Sequence, residues 1–213
     1  MKVVAINGSP RKKWNTATLF KHALKGAELA GAETKLIHLY DLDYKGCMSC
    51  FACKLKGGES FGRCAVNDDL APILEEIKSA DAFILGSPIY FGDVTGEMRS
   101  FLERLLFPNP IYEPDVLSSL PKNIRTAWIY AMNETEELAR KMGYERMFKN
   151  NEALLKWIFG PCESLMCYDT LQFDDYSKYA AKRFDAEAKR RRHEEVFPKD
   201  CERAFELGVR IVK

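Results

Sequence analysis

Four of the seven cysteines in this 213-residue chain lie close together in the sequence. Cys47, Cys50, Cys53 and Cys64 have the spacing C-x2-C-x2-C-x10-C, in a segment without clear periodicity. Four thiolates are the number that holds one [4Fe–4S] cluster. A tetrahedral zinc site is a second interpretation, although two separated C-x2-C pairs are more typical of zinc. Free thiols or a redox disulfide are a third.

A polar loop near the start of the chain has a composition that suits an anion. Residues 7–16 are rich in Gly, Ser, Pro, Arg, Asn and Thr and lie between a short apolar segment and a helical pattern. Ser9, Thr16 and Thr18 offer hydroxyl donors, and Arg11 offers a planar guanidinium. A strand–loop–helix of this kind directs N–H groups and a helix N-terminus at a phosphate. Alternatively, Ser9 and Thr16 only form a turn and cap the helix.

The same loop lacks two common glycine patterns. It contains neither G-x-x-x-x-G-K-[ST], which binds nucleoside triphosphates, nor G-x-G-x-x-G, which binds dinucleotides. A hydroxyl-rich loop without them suits a single terminal phosphomonoester.

An aromatic loop, PIYFGDVT at residues 88–95, follows a continuous apolar segment. Backbone at Gly92 can approach a ring edge closely, and Tyr90 and Phe91 can cover a ring face. They could equally be ordinary packing residues. A phosphate at one end and a flat heterocycle at the other describe flavin mononucleotide, FMN.

The elements that must position these loops alternate between strands and helices. Apolar segments predict five strands, and this alternation predicts a doubly wound parallel sheet, which binds ligands beyond the carboxyl ends of its strands. The predicted strands are 2–6, 33–40, 81–87, 124–132 and 163–173. Apolar spacing predicts helices over 17–30 and 68–79, with Asp68 as N-cap, and a third helix that Thr95 caps. Residues 133–159 are predicted to be helical with breaks near Met142-Gly143 and after Lys149, and 107–120 to be a connector.

Composition restricts the class of protein. The net charge of +1 argues against a nucleic-acid partner. The chain shows no signal-peptide pattern and no apolar run of about 18 residues, which predicts a cytoplasmic protein without a membrane span. The basic run 189–192 has acidic neighbours and is interpreted as a solvated face of mixed charge.

The motifs NGSPR…NTATL and GSPIYFGDVTGEMRSFLERL together resemble the flavodoxin-like NADPH-dependent FMN reductase family, over about residues 1–106. The cysteine segment GCMSCFACKLKGGESFGRCAVNDDL resembles the iron–sulfur flavoprotein branch, with a longer glycine-rich gap before Cys64. The resemblance implies a flavodoxin-like α/β domain over 1–173, with a five-stranded parallel sheet of order 2-1-3-4-5 and helices on both faces. A cysteine-rich loop at 46–67 interrupts it, and a C-terminal helical extension, 174–213, packs on the domain or on a neighbouring subunit.

The resemblance also implies which residues bind the cofactors. The matching phosphate positions are Ser9, Arg11, Asn15, Thr16, Ala17 and Thr18; the isoalloxazine positions are Pro88, Ile89, Tyr90, Phe91 and Gly92, with Ala131, Met132 and Asn133 on the ring's other side; and the metal positions are Cys47, Cys50, Cys53 and Cys64. No side chain is expected to act as the chemical catalyst, because the flavin carries the electrons.

We therefore predict an FMN-dependent flavoprotein oxidoreductase, in which a [4Fe–4S] cluster passes electrons from a ferredoxin-like protein to FMN. One alternative is an NAD(P)H-dependent reductase of FMN or quinones without a cluster, with NAD(P)H as a transient donor. Another is a non-enzymatic redox sensor or binding protein. We expect small-molecule donors or acceptors, no nucleic-acid or membrane partner, and a homodimer or homotetramer.

Overall fold

A computed structural model describes residues 1–113, 116–118 and 123–213 of the chain. Part of the predicted connector, at 114–115 and 119–120, lies outside these residues. The strands are β1 (Lys2–Asn7), β2 (Glu33–His38), β3 (Ala82–Tyr90), β4 (Asp93–Val94), β5 (Pro110–Glu113), β6 (Val116–Ser118), β7 (Arg125–Ala131) and β8 (Cys162–Cys167). The helices are α1 (Asn15–Leu29), α2 (Ala71–Ser79), α3 (Gly96–Leu106), α4 (Glu136–Lys141), α5 (Tyr144–Phe159), α6 (Ala186–Glu195) and α7 (Phe197–Val212).

Five parallel strands form the central sheet, in the order β2-β1-β3-β7-β8. This order confirms the predicted order 2-1-3-4-5. The short strand β4 pairs antiparallel with the end of β3, and β5 and β6 form a separate two-stranded sheet.

Successive residues of the buried strands face two separate cores, as the two-residue period of a strand requires. Val4 and Ile6 of β1 pack with α2, α3 and α5 on one face. Val3 and Ala5 pack with α1 and α7 on the other face. The helices therefore cover both faces, as the doubly wound prediction required.

The C-terminal helix α7 lies directly on α1, at a distance that two glycines permit. A Cβ on Gly26 would lie 2.0 Å from the carbonyl oxygen of Phe205, and one on Gly208 would lie 1.7 Å from that of Ala23. Ala204 and Leu207 of α7 are buried in this contact. The end of the chain thus contributes to the same core as the start. None of the helices in the described ranges is long and apolar enough to span a membrane.

Several predicted boundaries were wrong for local reasons. The second strand ends at His38, because Leu39–Asp41 form a 3-10 turn. The fifth parallel strand ends at Cys167 instead of continuing to residue 173, since Asp169 adopts a positive φ of 53°. Residues 168–173 form a loop instead.

The predicted caps and breaks had mixed outcomes. Thr95 caps α3 as predicted, because its Oγ1 accepts a hydrogen bond from the N–H of Met98. Asp68 does not cap α2, which begins at Ala71. The predicted break at Met142-Gly143 separates α4 from α5, but the break after Lys149 was wrong because α5 continues to Phe159.

Candidate functional site

A cleft lies at the carboxyl ends of β1, β3, β7 and β8, where a doubly wound sheet binds its ligands. Residues at the ends of these four strands or shortly after them line it: Ser9, Arg11, Trp14, Asn15, Thr16, Pro88, Ile89, Tyr90, Ala131, Met132, Asn133, Thr170, Leu171 and Gln172. The structure therefore brings together residues from all three segments for which the sequence predicted cofactor contacts. The segment after β8 was not predicted to border the site.

One end of the cleft is the N-terminus of α1. No side chain caps this helix and no acidic residue lies in its first turn, so its first N–H groups are available to an anion. Thr16 is buried at this end. Within the described part of the chain, no residue forms a hydrogen bond with the hydroxyl of Thr16 or Thr18.

Hydrogen bonds within the loop after β1 fix its shape. The Ser9 N–H donates to Asn7 Oδ1 at 2.9 Å, and Ser9 Oγ accepts from the N–H of Arg11 at 3.2 Å. The hydroxyl of Ser9 thus forms a turn, as the alternative interpretation expected, and its proton remains able to donate to a ligand.

Contacts between neighbouring loops hold this end of the cleft together. The Gly8 N–H donates to the carbonyl of Gly86 at 2.8 Å, and Thr95 Oγ1 donates to the carbonyl of Gly8 at 2.7 Å. The Thr95 N–H donates to Ser87 Oγ at 3.0 Å. The first residue before α3 therefore ties the loop after β1 to the end of β3.

The side chains of Arg11 and Asn15 bind the loop after β8 in this structure. Arg11 Nη1 donates to the carbonyl of Gln172 at 2.7 Å, while Asn15 Nδ2 and Trp14 Nε1 each donate to the carbonyl of Leu171 at 2.9 Å. The Arg11 guanidinium also lies 3.8 Å above the Trp14 ring. Desolvation lowers the pKa of Arg11. These side chains close one wall of the cleft, a role that the sequence did not indicate.

The other end of the cleft is the end of β3. Pro88, Ile89 and Tyr90 line it, whereas Phe91 and Gly92 form the two-residue turn between β3 and β4 with φ values of 52° and 85°. Both residues of such a turn require positive φ. Phe91 is fully exposed at the tip of the turn. Phe91 and Gly92 are not among the residues lining the cleft, and neither are Ala17 and Thr18, the remaining predicted contacts.

Asn133 offers an unsatisfied acceptor beside the cleft. Its Oδ1 is buried, and no residue that the structure describes forms a hydrogen bond with it. Buried polar atoms nearly always have a partner, so an orphan atom at a cleft indicates a ligand donor. The imide N–H of an isoalloxazine ring is such a donor. The free N-terminus of α1 and this acceptor together fit a flavin with one phosphate.

The four clustered cysteines line a second, small pocket against α3. Cys47, Cys50, Cys53 and Cys64 all border it. The ten-residue gap before Cys64 folds back, because the N–H of Gly62 donates to the carbonyl of Cys53 at 2.9 Å.

Two consecutive residues of α3 bind this segment at both ends. The buried Arg104 donates Nε–H to Cys64 Sγ at 2.9 Å and Nη1–H to the carbonyl of Lys45 at 3.0 Å. Glu103 Oε2 accepts from the N–H of Cys47 at 3.0 Å. Four thiols with a cationic donor fit an anionic metal–thiolate group.

Among residues 1–113, 116–118 and 123–213, no three His, Cys, Asp or Glu side chains are arranged to hold a metal ion. All seven cysteines, which lie within these residues, are free thiols. Desolvation by burial raises the pKa of Cys53.

The fold and the cleft define a flavodoxin-like α/β protein with a mononucleotide-type site at its strand ends. The family model for NADPH-dependent FMN reductase matches residues 1–118. The chain belongs to this family, which the sequence resemblance predicted.

Curated relatives that match the chain are named iron–sulfur flavoproteins. It is 40% identical over 104 residues to an iron–sulfur flavoprotein of Methanocaldococcus jannaschii, covering 49% of this chain and 51% of the relative. It is 41% identical over 104 residues to one of Archaeoglobus fulgidus, covering 49% and 48%. The chain thus spans about half the length of the curated relatives it matches.

Solved structures share the fold at low sequence identity. An NAD(P)H:quinone oxidoreductase from Methanothermobacter marburgensis superimposes with a TM-score of 0.74 at 13% identity, covering 100% of this chain and 98% of that one. An FMN-dependent NADH-azoreductase from Bacillus anthracis, in complex with FMN, gives a TM-score of 0.64 at 14% identity and covers 100% of both chains.

Proposed function

We propose that this protein is a flavoprotein oxidoreductase whose cleft at the ends of β1, β3, β7 and β8 holds FMN. The observation that carries the proposal is the uncapped N-terminus of α1, which meets Ser9 and Thr16 at one end of the same cleft that Ile89 and Tyr90 line at the other. When bound, FMN supplies one-electron and two-electron redox chemistry.

Each part of the cleft has a distinct role in this proposal. The first N–H groups of α1 and the hydroxyls of Ser9 and Thr16 bind the phosphate. The 88–90 segment and residues 131–133 contact the ring, and Asn133 Oδ1 accepts from the imide N–H. The wall formed by Arg11, Trp14 and residues 170–172 limits access of water to the ring. The protein's side chains and backbone thus bind FMN, orient its ring and shield the ring from water.

The proposal includes small-molecule substrates. An NAD(P)H donor and a quinone or azo acceptor agree with the two structural relatives described above, an NAD(P)H:quinone oxidoreductase and an NADH-azoreductase. A homodimer or homotetramer is proposed for the assembly. Seven free thiols suit a reducing compartment, and we place the protein in the cytoplasm.

A second candidate function adds the cysteine pocket. The four thiols border one pocket beside Arg104, and the relatives that match are named iron–sulfur flavoproteins. We propose that these thiols hold a [4Fe–4S] cluster, through which a ferredoxin-like protein delivers electrons to the flavin. Without a cluster, the protein is an NAD(P)H-dependent reductase.

A comparison of two flavins tests the first proposal. Flavin-free protein is titrated with FMN and with riboflavin, which lacks the phosphate, and quenching of flavin fluorescence reports binding. Because charged hydrogen bonds contribute about 1.5–3 kcal/mol each, FMN should bind about 100-fold more tightly or better. Equal affinities for FMN and riboflavin would show that α1 does not bind the phosphate.

A further inference from the structure

Helix α6 lies outside the region matched by the family model, yet its Lys189 binds residues of the loops that border the cleft. The Asp185 carboxylate caps α6, because its Oδ1 accepts from the N–H groups of Glu187 and Ala188 at 3.0 Å each. One turn later, the side chain of Lys189 points into the protein and is only 8% exposed. Its exposed neighbour Arg190 does not share this burial.

The Lys189 ammonium joins two loops that border the cleft. Nζ lies 2.5 Å from the carbonyl oxygen of Asn133, after β7, and 2.5 Å from Oδ1 of Asp169, after β8. The ring of Phe184 lies 5.5 Å away. A buried lysine needs such partners, since desolvation of an unpaired ammonium is costly.

Further hydrogen bonds make the two loops one unit. The N–H of Asp169 donates to the carbonyl of Glu134 at 2.8 Å, and the N–H of Thr170 donates to the carbonyl of Met132 at 2.9 Å. Asp169 keeps its positive φ of 53° within this arrangement. Asp is among the few non-glycine residues that tolerate this conformation, and the surrounding contacts hold it here.

This arrangement fixes the backbone of the residue with the orphan acceptor. Lys189 binds the carbonyl of Asn133, and Asn133 Oδ1 is the buried cleft atom without a partner in the described chain. The backbone of Asn133 is therefore fixed by Lys189, while its side-chain Oδ1 has no hydrogen-bond donor among the described residues. An oxygen fixed in this way can select for an N–H donor.

We propose that Lys189 is a positioning residue of the flavin site. It holds Asn133 so that Oδ1 accepts a hydrogen bond from the imide N–H of the isoalloxazine ring. The inference rests on the proposed function, because it requires a flavin in the cleft. It assigns part of that site to α6, in a segment that the family model does not reach.

N3-methyl-FMN, which lacks the imide N–H, tests this role. Flavin-free wild-type protein should bind FMN about tenfold more tightly than N3-methyl-FMN, the contribution of about one hydrogen bond. In Lys189→Met the preference for FMN over N3-methyl-FMN should fall to about twofold or less. In Lys189→Arg, at least half of the wild-type difference in binding free energy between the two flavins should be restored. Arg190→Met, on the exposed side of α6, should keep the full preference.

Hydrogen exchange of the flavin-free proteins gives a readout independent of the ligand. Backbone amides at 132–134 and 169–171 should exchange faster in Lys189→Met than in wild type and Arg190→Met. Asp169→Asn removes the charge partner while asparagine tolerates the positive φ, so it should also reduce the preference if Lys189→Met does not fold.

Two outcomes would overturn the proposal. One is a wild-type protein that binds both flavins equally; the other is a full preference for FMN in the folded Lys189 and Asp169 variants. A wild-type protein that binds no FMN at all would instead overturn the proposed function.

Discussion

The Nε–H of Arg104 donates to the sulfur of Cys64 at 2.9 Å, and the rest of the same guanidinium binds both carboxylate oxygens of Asp68 at 2.8 and 3.0 Å. The side chain of Arg104 is 1% exposed. One buried cation on α3 therefore holds the fourth cysteine and the residue that leads into α2. The long gap before Cys64 is bridged by this contact.

Replacing Asp68 tests how much this ion pair stabilises the fold. Asp68→Asn leaves the Arg104 guanidinium buried without its charge partner, which should lower the free energy of unfolding by about 3 kcal/mol at pH 7. Chemical denaturation measures the loss. Asp69→Asn, an exposed neighbour that keeps its acceptor for the Asp43 N–H, should change stability by less than about 0.5 kcal/mol. Similar losses in both variants would contradict the assigned role of Arg104.

The same pair predicts a pH dependence. The hydrogen bonds from Arg104 hold the pKa of Asp68 below its ordinary value of 3.8. The folded protein therefore binds this proton less readily than the unfolded chain, so the stabilisation is complete above pH 4 and is lost as the pH falls through the folded pKa. The difference in free energy of unfolding between wild type and Asp68→Asn should be constant from pH 5 to 7 and should shrink below about pH 4. A difference that grows under acid would contradict this sign.

The cysteine pocket predicts which thiols matter for iron. In protein purified without oxygen, Cys50→Ser should remove most of the iron and the broad visible absorption while FMN remains bound, because Cys50 borders the pocket and not the cleft. Cys201→Ser is the control, since Cys201 lies in α7, in the core between the sheet and helices α1 and α7. Equal iron content in wild type and Cys50→Ser would refute the cluster proposal.

The contact between α1 and α7 predicts a large effect for one methyl group. Gly208→Ala would place a Cβ 1.7 Å from the carbonyl oxygen of Ala23, so the helices must separate. Such overpacking should cost about 1–3 kcal/mol in thermal or chemical unfolding. Gly96→Ala, where a Cβ has no heavy atom within 4 Å, should be nearly neutral. An unchanged stability of Gly208→Ala would contradict the close packing of the two helices.

Local patterns in the sequence predicted the parallel sheet and two walls of the cleft. The apolar strand before Asn7 and the helical spacing after Asn15 predict the position of the polar loop at residues 7–16. The apolar segment before Pro88 predicts the position of the aromatic loop at residues 88–95. These features depend on residues close in the chain. They are therefore visible without a structure.

Long-range contacts account for what the sequence analysis missed. Residues 170–172 resemble a continuation of the last strand, and only the positive φ at Asp169 turns them into a wall that binds Asn15. Asp68 is a residue type that often caps helices, but here its carboxylate accepts hydrogen bonds from Arg104, 36 residues further along the chain. Lys189 lies in a run of basic residues that resembles a solvated face, and its burial depends on Asn133 and Asp169.

In the proposed function, Ser9, Thr16 and the N-terminus of α1 bind the phosphate of FMN. The most direct measurement is the affinity of Ser9→Ala/Thr16→Ala for FMN and for riboflavin, with Ser79→Ala on α2 as the control. The double variant should bind FMN about 100-fold more weakly than wild type, with riboflavin affinity and thermal stability nearly unchanged. An unchanged affinity for FMN in the folded double variant would contradict the claim.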